Sequence, residues 1–66
     1  MKRLNSEYIT PMIMAETAWL HGRGAARDKA PRIVPPSFRK DKREAYWLGG
    51  YDGADLRSLY PSEWYI

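Results

Sequence analysis

The groups best suited to chemistry in this chain are one histidine, a scatter of carboxylates and two clusters of cations. His21 has no serine or carboxylate beside it in any nucleophile–base pattern, and such catalysis needs partners within hydrogen-bond reach. Glu44, Asp52, Asp55 and Glu63 read as solvated charges, not as an acid–base pair. The run from Gly22 to Arg27, Gly-Arg-Gly-Ala-Ala-Arg, superficially resembles a phosphate-binding loop. It lacks the preceding strand that gives such a loop its mechanism. With no cysteine and a single histidine, neither a zinc site nor any other metal or cofactor is expected. The chain reads as non-enzymatic, with no catalytic residue.

The cations carry more. Arg23, Arg27, Lys29 and Arg32 stand at the start of a proline-rich stretch, and Arg39, Lys40, Lys42 and Arg43 follow it. If that stretch is a turn between two helices, both clusters meet at one end of the molecule. The acids Asp52, Asp55 and Glu63 then gather toward the other end. Cations in the first turns of a helix oppose its dipole, so the second cluster suits an anionic partner. A solvated face balanced by Asp41 and Glu44 is the plainer account. Phosphate contacts would give salt-sensitive, sequence-tolerant affinity, with Tyr46 or Phe38 offered for base stacking. The net charge of +3, from 11 basic and 8 acidic residues, permits a nucleic-acid or ribosomal partner without requiring one.

Two helices must position these groups. Thr10-Pro11 makes an N-cap and first helical residue, and helix 1 is expected over about 11–28. Pro31, Pro35 and Pro36 forbid its continuation, which makes 29–37 a linker with Ile33 and Val34 as a lid. Ser37, or later Asp41, caps helix 2, expected over about 38–59. Pro61 breaks the aromatic tail, 60–66. The fold class expected is all-α: a two-helix antiparallel hairpin with a proline-rich connection and an irregular aromatic C-terminal tail. Residues 1–66 make at most one small domain, whose core supplies only a few kcal/mol. There is no disulfide, no apolar run long enough to span a bilayer and no signal-peptide h-region. A cytoplasmic protein with no membrane partner is expected.

The glycines suggest how the helices meet. Glycine in a helix costs about 0.5–1 kcal/mol relative to alanine, so Gly49, Gly50 and Gly53 need a reason. Trp47-Leu48-Gly49-Gly50 repeats the pattern of Trp19-Leu20-His21-Gly22, and Ala54 and Ala26 follow each at the same distance. Residues at i and i+4 share a helix face. The expected packing set is therefore Trp19, Gly22 and Ala26 against Trp47, Gly50, Tyr51 and Ala54. Helix 2 has a second apolar face bearing Leu48, Leu56 and Leu59. Either the tail folds back over it, or Leu48, Leu56, Leu59, Tyr60, Trp64 and Tyr65 form an interface for a host protein. A homodimer is a further way to cover it.

The ordered set Gly22-x-x-Ala25-Ala26, a proline-bearing turn, then Arg43-x-x-x-Trp47-Leu48-Gly49-Gly50-Tyr51-x-x-Ala54 resembles the ribosome modulation factor family and its small phage and mobile-element relatives. The resemblance covers about Ala18 to Asp55. It implies a short two-helix protein that binds the small ribosomal subunit and modulates translation. The block from Trp47 to Ala54 transfers as fold residues, and the basic residues at the turn as ribosomal RNA contacts. The chain departs from the family in its N-terminus, where Lys2 and Arg3 are the only cations before acidic and apolar residues, and in its acid-bearing aromatic tail. Those departures fit a relative with a changed partner, such as a phage- or plasmid-type inhibitor of a host protein.

Overall fold

The computed structural model describes residues 3–66. Lys2, one of the two N-terminal cations noted above, lies outside them. The fold is all-α, with α1 at Ile9–Arg27, α2 at Arg43–Asp52 and a single turn of helix, α3, at Leu56–Leu59. Short 3-10 turns occupy Ser6–Tyr8, Pro36–Phe38 and Ser62–Trp64. An isolated antiparallel bridge joins Leu4 to Tyr65.

Local chemistry explains the helix limits. The Asn5 side chain accepts a 3.0 Å hydrogen bond from the Glu7 amide, and the turn it starts runs into α1. The helix therefore begins at Ile9, just ahead of Thr10, and Pro11 falls in the first turn, where a missing N–H costs nothing. At the other end Lys29 takes a left-handed conformation, φ 59°. Its amide donates to Ala26 O at 3.1 Å and the Ala30 amide to Ala25 O at 2.9 Å, the paired bonds of a Schellman cap.

The helix expected over 38–59 is divided. Pro36–Phe38 closes only a 3-10 turn. The later capping residue, Asp41, starts α2 by accepting the Arg43 amide at 2.9 Å. Gly53, φ 81°, then ends α2, with Gly53 donating to Gly50 O and Ala54 to Gly49 O at 2.8 Å. A glycine free to turn left-handed stops the helix, and Leu56 to Leu59 must restart as α3.

α1 and α2 pack together along the two glycine-bearing faces. A Cβ built on Gly22 would lie 2.8 Å from the Trp47 carbonyl carbon, and one built on Gly50 would lie 2.8 Å from that of Trp19. The contact is reciprocal: each copy of the Trp-Leu-x-Gly pattern supplies the glycine for the other's tryptophan carbonyl. Ala15, Ala18, Gly22, Trp47 and Gly50 are buried, while Trp19, Tyr51 and Ala26 are half-buried. Ala54 lies beyond the end of α2 and joins the seam through its carbonyl, which accepts from Trp19 Nε1 at 2.9 Å.

Both helices start at the same end of the molecule. Pro11, Met14 and Ala15 stand beside Lys42, Arg43 and Tyr46. At the far end the Tyr51 hydroxyl donates to the Ala30 carbonyl, and Arg32 pairs with Asp52. The helices thus run side by side in one sense, where a short turn predicts the antiparallel sense. The reason is the connection, which occupies 28–42 and not 29–37. The 19 residues of α1 span about 28 Å, and a largely extended segment of that length can return along them. On its way back it buries Val34 and Phe38, sets Phe38 5.3 Å from the His21 ring and leaves Ile33 exposed.

The tail closes the fold. Trp64 is 8% exposed, with ring centroids 6.1 Å from Tyr8, 6.3 Å from Tyr46 and 5.0 Å from Tyr60. The Asn5 amide donates to Trp64 O at 2.8 Å and the Ile66 amide to Arg3 O at 2.7 Å. Leu59 folds back onto Gly49.

Candidate functional site

Same-sense helices separate the two basic clusters that an antiparallel turn would have joined. Arg27 and Lys29 lie where α1 ends, and Lys40 and Lys42 lie before α2 starts, at the opposite end. Arg32, in between, is committed to Asp52: Nε to Oδ1 is 2.9 Å and Nη2 to Oδ2 is 2.6 Å. That hydrogen-bonded pair raises the Arg32 pKa and lowers that of Asp52. Arg43 Nε holds Asp41 Oδ1 at 3.0 Å, its Nη2 donates to Ser37 O, and its guanidinium covers Phe38 at 5.5 Å. The Arg43 amide and then its side chain depress the Asp41 carboxyl. Arg39 Nε donates to Val34 O at 2.6 Å, and Arg23 lies 5.5 Å over the Trp19 ring.

Half of the eight candidate phosphate contacts therefore divide off. Arg32, Arg39 and Arg43 hold the connection in place, and Arg23 covers an indole. Arg27, Lys29, Lys40 and Lys42 are exposed and make no ion pair among the described residues. Tyr46 and Phe38 are buried, which removes them as stacking platforms for bases.

The expected protein interface is also redistributed. Trp64 is core, because the tail folds inward. Leu48, Leu56, Leu59 and Tyr60 are half-buried against that core, and the half-buried Tyr65 donates its hydroxyl to Arg57 O at 2.6 Å. The apolar groups left in solvent are elsewhere. Ile9, Ile13 and Leu20, on the outer face of α1, are 57%, 59% and 49% exposed. The helical period of α1 carried this face, but without the position of α2 it could not be told apart from a core face.

A larger hollow of about 470 Å³ is lined by Trp19, Arg23, Gly50, Gly53, Ala54 and Asp55, and a smaller, more apolar one lies at the end where both helices start. The smaller holds about 330 Å³ and is lined by Pro11, Met14, Ala15, Asp41, Lys42, Arg43, Tyr46 and Trp64. Its residues come from three separate parts of the chain, so no sequence signal marked it. Among the described residues no cluster of three or more histidines and carboxylates is placed to hold a metal ion, and no helix is long and apolar enough to cross a membrane. Comparison with protein-family models, curated proteins and solved structures finds no match.

Proposed function

We propose that this protein is a non-enzymatic binding module that docks on ribosomal RNA of the small subunit and modulates translation. One observation carries the reading. Among the described residues Arg27, Lys29, Lys40 and Lys42 are exposed and free of ion pairs, while of the acids near them Asp41 and Asp52 are each held by an arginine and Asp28 makes no ion pair. The cations left over stand in pairs at the two ends of the connection, a spread that suits a phosphate backbone better than a single point contact. The resemblance to the ribosome modulation factor family supports the same reading. So does the reciprocal glycine seam built by the residues that carry the resemblance.

Sedimentation with bacterial ribosomes tests it. Co-migration with the small subunit at low salt should weaken steeply as salt rises. The double variant Lys29→Glu, Lys40→Glu should lose co-migration while keeping its melting temperature. Binding that ignores both salt and charge reversal overturns the reading.

A second reading, a module that docks on a host protein, is favoured by the exposed Ile9, Ile13 and Leu20. In that case Leu20→Asp abolishes the interaction and the charge reversals spare it.

A further inference from the structure

The concavity between the helix starts sets an apolar hollow beside charged residues. Its floor is apolar: Pro11, Met14 and Ala15 come from α1, Tyr46 from α2 and Trp64 from the tail. Its rim is charged, with Asp41, Lys42 and Arg43 in sequence. Asp41 is taken by the Arg43 guanidinium and amide, so their charges cancel at the rim. Lys42 is exposed and makes no ion pair among the described residues, which leaves one uncompensated cation beside an apolar hollow.

We propose that this cleft binds a small amphipathic carboxylate, a short alkyl or aryl acid. Its apolar body fills the space over Tyr46 and Trp64, and its carboxylate meets the Lys42 ammonium. Three properties select this chemistry. The volume of about 330 Å³ is at the lower end for small-molecule sites, which are apolar with a few placed polar groups. An apolar body without charge would leave Lys42 unused. A cationic head would face Lys42 and the starts of two helices, where the backbone already carries partial positive charge. The site shares Lys42 with the proposed RNA contacts but uses none of Arg27, Lys29 and Lys40, so the octanoate titration and the Lys29, Lys40 charge reversal read the two proposals separately, and either can fail alone.

Octanoate is a suitable probe, with octanamide as its uncharged counterpart. The intact chain is titrated with each while NMR signals of Met14, Tyr46 and Trp64 are followed. Saturable shifts confined to these residues are expected, with octanoate binding tighter than octanamide. Lys42→Glu should weaken octanoate by about fivefold or more, the size of one lost ion pair with added repulsion, and leave octanamide unchanged. That variant places an acid before a helix start, where it favours folding. Lys29→Glu, at the far end, should change neither titration. Absence of saturable octanoate binding overturns the proposal and leaves the hollow to a side chain of a partner protein. Equal binding of the two probes, or indifference to Lys42→Glu, overturns it as well.

Discussion

Gly22 faces the main-chain carbonyl of Trp47, and the space between them does not admit one carbon atom. A Cβ at Gly22 would lie 2.8 Å from the carbonyl carbon of Trp47, and Gly50 stands in the same relation to Trp19. The obstacle in both cases is helix backbone, which cannot rotate away. Gly22→Ala or Gly50→Ala must therefore push the helices apart. Each is expected to destabilise by about 3 kcal/mol, the upper part of the overpacking range. Chemical denaturation measures this directly.

Gly24 predicts the opposite sign. It lies inside α1, and a Cβ there meets nothing within 4 Å. Alanine relieves the backbone entropy of glycine with no clash. Gly24→Ala should stabilise by about 0.5–1 kcal/mol, read as a rise in melting temperature. The two substitutions together separate a packing glycine from an incidental one.

Lys29 ends α1 in a conformation that suits glycine, φ 59°. A side chain there crowds the following carbonyl at a cost of about 1 kcal/mol. Lys29→Gly should recover that amount while keeping the capping bonds to Ala26 and Ala25. If Lys29 also contacts RNA, the same variant gains stability and loses affinity, an unusual pairing that melting and ribosome sedimentation would reveal together.

Trp64 is a core residue although it lies in an aromatic tail. Trp64→Ala removes a ring set among Tyr8, Tyr46 and Tyr60 and should cost about 3–5 kcal/mol. In a domain this small that loss unfolds much of the population, so near-ultraviolet circular dichroism would collapse. A variant that stays folded and loses only a binding partner would contradict the inward-folded tail.

Burial raises the phenol pKa values of Tyr46 and Tyr60 above the ordinary 10.0, with charge repulsion from Tyr60 adding to Tyr46 and that from Glu16 and Tyr65 adding to Tyr60. The unfolded chain ionises first as pH rises, so the folded state binds more protons in that window. Stability is therefore fully present below about pH 10 and falls as pH climbs through the raised folded values. Melts taken from about pH 8 to pH 11 should show this loss, and Tyr46→Phe should flatten it.

What the chain determined by itself was local. Proline positions fixed where helix could not continue, helical spacing placed Gly22 and Gly50 on facing seams, and the all-α class followed. Those signals depend on neighbours a few residues away: the φ restriction of Pro31, Pro35 and Pro36, and the cost of a mid-helix glycine unless a second backbone approaches. Tertiary structure decided the rest. The length of the connection set α2 running in the same sense as α1, which separated Lys29 from Lys40. Ion pairs with Asp41 and Asp52 decided which arginines stay home and which cations face solvent. The fold of the tail turned Trp64 from a surface candidate into core and opened the hollow beside Lys42. These outcomes depend on contacts between residues far apart in the chain, where helical period and propensity are silent because an apolar or charged side chain carries no record of which partner will cover it.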